Sequence, residues 1–140
     1  MSSGLLLAWD FDGCISTSTT IPGPIHPDLV KRLANRNECW AIGNQALKEQ
    51  TGIPGTDEIW ARNGIDPPDP GRATGESAVE IMADPIRLNH HLMAKRVRLI
   101  YLAKLFPDAQ KIVIDDLQIE LKGWTHFLPD DFLQLLRGLR

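Results

Sequence analysis

Apolar runs that predict buried strands alternate along this chain with amphipathic patterns that predict helices. The segment from Leu5 to Asp10 predicts a first strand, and the spacing of the apolar residues from Pro27 to Arg36 predicts a helix. The same patterns predict a strand at Cys39–Ile42, a helix at Leu92–Phe106, strands at Lys111–Ile114 and Trp124–Leu128, and a helix at Asp130–Leu139. Strands separated by helices imply right-handed crossovers. We therefore expect an α/β fold, a Rossmann-like three-layer sandwich with a mainly parallel central sheet.

The middle of the chain breaks this alternation. Residues 51–75 read TGIPGTDEIWARNGIDPPDPGRATG, with four prolines and five glycines and little periodicity. A segment of this kind inside a compact domain is typical of a loop or a small lid. Because 140 residues suffice for one core, we expect a single domain over residues 1–140 that contains this loop.

The composition excludes several classes of protein. Hydrophobic residues make up 43% of the chain and charged residues 24%, and the net charge of -3 gives no electrostatic signature of nucleic-acid binding. The two cysteines, Cys14 and Cys39, predict free thiols in a reducing compartment rather than a disulfide framework. The longest apolar stretch falls short of the roughly 18 residues that cross a bilayer, so we expect a cytoplasmic protein without a membrane partner.

Polar groups stand where three of the predicted strands end. Asp10 and Asp12 follow the first strand, 43–45 (Gly-Asn-Gln) follow the second, and Asp115 and Asp116 follow the strand at 111–114. Carboxyl ends of parallel strands meet at one edge of the sheet, where ligands bind. Four carboxylates there would repel one another without a cation between them, and oxygen ligands suit Mg²⁺. Each pair alone is more typical of a turn, a helix cap or a solvated strand end, whereas two pairs on separate strands favour a functional site.

These strand-end residues carry a family resemblance. DFDGC at Asp10–Cys14 resembles the first motif of the haloacid dehalogenase-like (HAD) phosphohydrolases, and IVIDD at Ile112–Asp116 resembles their acidic last motif. WAIGNQ at Trp40–Gln45 resembles their second motif, although only the first and last motifs are specific. The resemblance spans most of the chain with the motifs in the right order. It implies a HAD-like fold and a magnesium-dependent phosphatase.

The resemblance also assigns roles to the carboxylates. Asp10 would be the nucleophile that forms an aspartyl-phosphate, with magnesium neutralising the reacting oxygens. Asp12 would protonate the leaving oxygen and then take a proton from water, while its backbone carbonyl would bind the metal. Asp115 and Asp116 would complete the metal shell. Because the last motif occurs with two spacings, the division of roles among Asp115, Asp116 and Glu120 stays open.

A lysine that holds the phosphoryl group and the nucleophile is the family's further requirement. Lys95 and Lys104 both precede the strand at 111–114. A helix that leads into a parallel strand begins at the carboxyl edge of the sheet, and at about 1.5 Å per residue Lys104 would lie roughly 14 Å farther from the site. Lys95 is therefore the predicted catalytic lysine. This argument requires a helix break near Asn89–His91, since otherwise Lys95 lies in the middle of a long helix.

One departure from the family concerns the second motif. Gly43 stands where the family has a Thr or Ser hydroxyl that binds the phosphoryl oxygen. Backbone N–H groups near Gly43 and the side chain of Asn44 would then bind the phosphate at the start of the next helix. The alternative is a catalytically weak or inactive HAD-like domain that binds a metal or a phosphorylated ligand. A phosphoacceptor receiver domain is a third candidate. In such a domain the acidic pair comes first and the acceptor aspartate ends a later strand, whereas in this chain the order is reversed.

The sequence specifies the substrate less closely than it specifies the fold or the site. Only about 30 residues separate Asp12 from Gly43, which leaves no room for a folded cap domain. The site of such a small capless enzyme would be open and would admit bulky phosphorylated substrates. The stretches at Gly43–Gln45 and Ile114–Asp116 resemble the phosphatase part of polynucleotide kinase-phosphatases. The expected substrate is a small phosphorylated metabolite or a phosphorylated polynucleotide end.

Overall fold

The fold consists of a parallel β-sheet with helices on both faces. The computed structural model describes residues 4–43, 45–56, 58 and 83–138. Within these ranges the elements are, in chain order, β1 (Leu5–Trp9), α1 (Pro27–Ala34), β2 (Glu38–Ala41), α2 (Gln45–Thr51), α3 (Pro85–Leu105), β3 (Gln110–Ile114), β4 (Trp124–Phe127) and α4 (Pro129–Gly138). The predicted α/β architecture with a parallel sheet is confirmed.

The strands lie in the order β2-β1-β3-β4, and every pair among the described strands is parallel. In the register of the sheet, Leu7 pairs with Cys39 on one side and with Ile112 on the other. A parallel bridge between Ala41 and Gly55 extends the outer edge of β2. Because β1 and β3 are the two inner strands of this order, their carboxyl ends lie side by side in the middle of one edge.

The strands alternate their side chains between two apolar layers. On one face, Leu7 and Trp9 belong to a buried cluster with residues of α1, α2 and α4. The Trp9 ring packs edge-on against the Phe132 ring, with 5.4 Å between the ring centroids. On the other face, Leu6 and Ala8 pack in a second cluster that includes Leu99 and Leu102 of α3. A strand buried on both faces explains why β1 reads as a continuous apolar run.

The largest difference from the predicted elements is the length of α3. The helix begins at Pro85, not Leu92, because the Asp84 side chain accepts a hydrogen bond from the Ile86 N–H at 3.0 Å and Pro85 occupies the first turn. The expected break near Asn89–His91 is wrong, since the helix is continuous to Leu105. Asn and His each reduce helix propensity by less than about 1 kcal/mol, which the capped N-terminus and the packing of the C-terminal half offset.

The other predicted elements are correct to within two residues at each end. In the Pro/Gly-rich segment predicted at 51–75, Thr51 ends α2 and the next residues run beside β2, while residues 57 and 59–75 lie outside the described residues. Among the described helices, none combines the length and apolar character that crossing a membrane demands.

Candidate functional site

The candidate site lies at the carboxyl edge of the sheet, where β1 and β3 end next to each other. The Asp10 N–H donates a hydrogen bond to the Ile114 carbonyl at 3.0 Å, which continues the parallel ladder by one residue beyond β1. Asp10 and Asp115 therefore directly follow two adjacent strands and lie at the same level of the sheet edge. Both side chains are buried, although the interior disfavours ionised carboxylates that have no partner.

Lys95 is the cationic partner of both carboxylates. Its Nζ lies 2.6 Å from Asp115 Oδ2 and 3.4 Å from Asp10 Oδ1, and its side chain is 1% exposed. Lys95 lies in the middle of α3, so the expected position at a helix N-terminus is wrong even though the residue faces the site. None of the residues 85–93 is buried, and Ala94 and Lys95 are the first buried residues of the helix. The first turns of the long helix therefore extend past the sheet edge, and the helix packs on the sheet-facing core from Leu92 onward.

A second group in the site consists of Asp10, Cys14 and Asp116. One possible ligand atom from each of these residues lies within 4.8 Å of the other two, an arrangement that could hold a metal ion. The close approach of Asp116 depends on Gly13, whose φ is 79° and where an added Cβ would overlap the Asp116 carboxylate. Cys14 is fully buried, and its sulfur lies within this group.

The charges in the site are unbalanced. Burial, followed by repulsion from Asp115, raises the pKa of Asp10 well above its usual value, and the same two causes raise the pKa of Asp116. Burial alone would lower the pKa of Lys95, but the carboxylates of Asp10 and Asp115 outweigh it and raise that pKa. One ammonium group faces three carboxyl groups, so added positive charge would favour their ionised forms.

The two adjacent acids of the last motif have different contacts. Asp115 uses Oδ2 for Lys95 and Oδ1 to accept the Leu117 N–H at 2.9 Å. Its backbone carbonyl accepts a hydrogen bond from His126 Nε2 at 2.9 Å, which requires the proton to be on Nε2. Asp116 is instead the residue whose carboxylate joins the possible metal group. This geometry favours Asp116 over Asp115 as the metal ligand.

Glu120, the alternative acid of the last motif, is exposed. Its Oε1 accepts a hydrogen bond from Gln118 at 3.3 Å. Within the described part of the chain, it does not belong to the group formed by Asp10, Cys14 and Asp116. The geometry therefore gives no support to a metal-binding role for Glu120.

Asp12 lies two residues after Asp10 and is held by the following loop. Its Oδ1 accepts a hydrogen bond from the Ser18 hydroxyl at 2.7 Å, and Ser18 Oγ in turn accepts the Ile21 N–H at 3.2 Å. The Asp12 carboxylate is not part of the possible metal group found among the described residues. Its orientation is thus fixed by a buried serine, which suits a proton-transfer role better than a side-chain metal ligand.

Gly43 follows β2 and faces the same site. A Cβ built on Gly43 would lie 3.6 Å from Asp10 Oδ1 and 3.9 Å from Lys95 Cε, at ordinary contact distances. A side chain at this position would therefore project toward the nucleophile predicted from the sequence. Asn44, the other predicted substrate-binding residue, lies outside the described residues.

Ser18 and His126 are two contacts of the site that the sequence did not reveal. Ser18 lies among five consecutive serine and threonine residues that look alike in the sequence, and only the fold selects the one that reaches Asp12. His126 lies near the end of β4, the strand beside β3. The position of His126 near the carboxyl end of a fourth predicted strand was the one sequence signal that could have placed it near the site.

Comparisons of this chain with models of known protein families, with curated proteins and with solved structures find no match. The chemistry of the site therefore has to be inferred from its own side chains. They are a buried lysine between two strand-end aspartates, a third carboxylate that joins a possible metal group, and a fourth held by a serine.

Proposed function

We propose that this chain is a magnesium-dependent phosphomonoester hydrolase with a HAD-like fold that acts through Asp10. The observation that carries the proposal is the contact of Asp10 Oδ1 with Lys95 Nζ at 3.4 Å at the carboxyl edge of a parallel sheet. Lys95 holds the nucleophile in a defined position and supplies positive charge for phosphoryl oxygens. A nucleophile, a fixed cation and an oriented acid–base residue are the parts that phosphoryl transfer to a carboxylate requires.

The residues of the site fit a divalent cation. Asp10 and Asp116 would supply oxygen ligands, which Mg²⁺ prefers, and their excess negative charge would be neutralised by the ion. Burial, followed by repulsion from Asp10, raises the pKa of the Cys14 thiol and favours its neutral form beside the two carboxylates. When bound, the cation would supply charge stabilisation for the phosphoryl oxygens and favour the ionised, nucleophilic form of Asp10.

In the first proposed step, an Asp10 carboxylate oxygen attacks the phosphorus of a phosphomonoester. A bond forms between this oxygen and phosphorus as the bond from phosphorus to the ester oxygen breaks. Asp12, oriented by Ser18, donates its proton to the departing oxygen, and the product alcohol leaves. Lys95 stays protonated throughout, because the neighbouring carboxylates raise its pKa against the effect of burial.

In the second proposed step, water attacks the phosphorus of the aspartyl-phosphate. Asp12, now ionised, takes a proton from the water as the bond between Asp10 and phosphorus breaks. Inorganic phosphate leaves and both aspartates return to their starting states. The hydrogen bond from Ser18 keeps Asp12 in one orientation for both proton transfers.

The loop after β1 supports a bulky substrate. Residues 13–25 form a small closed loop, tied by a bridge between Ile15 and Ile25 and by the Gly13 N–H to the Ile21 carbonyl at 2.6 Å. This loop contains no separate cap domain. The proposed substrates are phosphomonoesters, either small metabolites or phosphorylated polynucleotide ends.

A second candidate is a domain that binds a metal or a phosphorylated ligand without turnover. The observation that favours it is Gly43, because the position that faces Asp10 and Lys95 carries no hydroxyl. Fewer donors to the phosphoryl oxygens weaken transition-state stabilisation more than they weaken ligand binding.

Hydrolysis of p-nitrophenyl phosphate tests the proposal. We expect turnover by the wild-type protein with Mg²⁺, loss of turnover in a chelator, and loss in Asp10→Asn. Asp108→Asn is a matched control, since Asp108 is exposed in the turn before β3, at the opposite edge of the sheet. Full activity of Asp10→Asn would contradict the proposal. Mg²⁺ binding in calorimetry with no turnover of aryl, metabolite or 3′-phosphorylated oligonucleotide substrates would favour the binding domain.

A further inference from the structure

The outward face of α3, which does not face the sheet, carries a narrow line of apolar side chains. Ile86, Met93, Val97 and Ile100 are 69%, 53%, 46% and 44% exposed. At 3.6 residues per turn, these four residues line up on the side of the helix opposite Lys95, whose side packs against the sheet. We call these four residues the outward seam. Large apolar side chains aligned on an exposed helix face are typical of a protein interaction surface.

The spacing of the outward seam favours a helical partner. The positions 86, 90, 93, 97, 100 and 104 follow steps of four, three, four, three and four residues, which is the heptad repeat of a coiled coil. His90 and Lys104 occupy the two polar positions of this repeat. A membrane-surface helix needs a broad apolar face, whereas a stripe limited to these positions matches the narrow contact between two helices.

The charge of α3 restricts the partner further. The helix from Pro85 to Leu105 contains no Asp or Glu, although the chain as a whole has a net charge of -3. Arg96 precedes Val97 and lies at the edge of the outward seam, and Lys104 occupies the next heptad position after Ile100. In a parallel pair with a second copy, Lys104 would face Lys104, and in an antiparallel pair it would face Ile86. Self-association is therefore disfavoured, and glutamates at the flanking positions of a partner would be favourable.

We propose that the outward seam binds an acidic amphipathic helix of a partner protein. The apolar residues of that helix pack on Met93, Val97 and Ile100, and its flanking glutamates pair with Arg96 and Lys104. The surface is separate from the proposed catalytic residues, because Lys95 points to the opposite side of the same helix. The proposal does not depend on the phosphatase activity.

A designed peptide tests this inference on the intact protein. The probe is a fluorescein-labelled helix of about three heptads, with Leu at the seam positions and Glu at the flanking positions. In fluorescence anisotropy we expect it to bind the wild-type protein in the micromolar range. Val97→Glu should weaken binding at least about tenfold, while Leu135→Glu, which changes an exposed leucine on α4, should not. Circular dichroism melts of both variants report whether each is folded.

Charge exchange gives the second arm of the test. A peptide with Lys at the flanking positions should not bind the wild-type protein but should bind Arg96→Glu better than the acidic peptide does. Equal binding of the two peptides to the wild-type protein, or no binding of the acidic peptide up to about 100 μM, would overturn the proposal. A dimer that Val97→Glu dissociates in sedimentation would overturn it in favour of a second copy. Seam-dependent binding to phosphatidylserine vesicles without peptide binding would overturn it in favour of a membrane.

Discussion

Lys95 Nζ lies 2.6 Å from Asp115 Oδ2, and the two side chains are 1% and 0% exposed. This buried ion pair joins the middle of α3 to the end of β3. Removing both charges from water carries a large desolvation penalty, which the attraction at this distance and the further hydrogen bonds of Asp115 offset. The pair therefore fixes where the long helix crosses the edge of the sheet and thereby sets the position of the ammonium group beside Asp10.

Replacing Lys95 by methionine should destabilise the protein and remove the proposed phosphatase activity. The variant keeps most of the side-chain volume but leaves Asp115 buried without its partner, so we expect the free energy of unfolding to fall by about 3–5 kcal/mol. Urea denaturation measures this change. Lys104→Met, on the exposed face of the same helix, should change stability by less than about 0.5 kcal/mol. Partial recovery is expected in the double variant Lys95→Met/Asp115→Asn, and equal stability of wild type and Lys95→Met would refute this account of the pair.

Gly13→Ala should weaken metal binding through Asp116. Gly13 and Gly52 have nearly the same positive φ, 79° and 77°, so alanine strains the backbone similarly at both positions. An added Cβ overlaps the Asp116 carboxylate at Gly13 and meets no atom within 4 Å at Gly52. Calorimetric titration with Mg²⁺ should therefore show at least about tenfold weaker binding for Gly13→Ala than for Gly52→Ala. Equal affinities would mean that Asp116 is not a ligand, or that its side chain moves away from the added Cβ and still binds the ion.

The pH dependence of stability should report the excess of negative charge. Burial, and then repulsion from Asp115, raises the pKa of Asp10 in the folded protein, so above its unfolded pKa the native state holds more protons than the unfolded state. The free energy of unfolding contributed by this group therefore falls as the pH rises from about 4 toward the folded-state pKa. Asp10→Asn removes this loss while Lys95 keeps its bond to Asp115.

In a chelator, the melting temperature of Asp10→Asn should accordingly match the wild-type value near pH 4 and exceed it at neutral pH. Thermal melts across this range measure the difference, with Asp108→Asn as the exposed control. Saturating Mg²⁺ should reduce the advantage of Asp10→Asn, because the ion stabilises the wild-type native state. A wild-type protein that becomes more stable than Asp10→Asn as the pH rises in chelator would contradict the charge imbalance.

The periodicity of the sequence predicted the sheet and most of the helices, because buried strands and amphipathic helices leave distinct patterns. Lys95 shows the limit of this reasoning. The predicted lysine does reach the site, but the argument for it placed the helix start at Leu92, whereas the helix begins seven residues earlier, at Pro85. The sequence does not specify how far a capped helix extends beyond the sheet it packs against.

The sequence also does not specify how the side chains at the strand ends are oriented. Asp115 and Asp116 are adjacent and chemically identical, and they differ only in their contacts, since Lys95 and the Leu117 N–H hold Asp115. Contacts made by loop residues have no periodicity, so the bond from Ser18 to Asp12 left no pattern to detect. The fold thus followed from the pattern, whereas the division of roles within the site depended on individual hydrogen bonds.

Gly43→Ser should raise the proposed phosphatase activity. A Cβ at this position would lie 3.6 Å from Asp10 Oδ1 and 3.9 Å from Lys95 Cε, so the serine hydroxyl would enter the space where the proposed mechanism places a phosphoryl oxygen beside the lysine. One added donor to the transition state is expected to raise kcat/KM by roughly tenfold to a hundredfold for p-nitrophenyl phosphate. Gly43→Ala adds the same Cβ without a donor and should give no gain. A fall in kcat/KM in both variants would contradict the expected gain and would show that the substrate itself occupies the space beside Gly43.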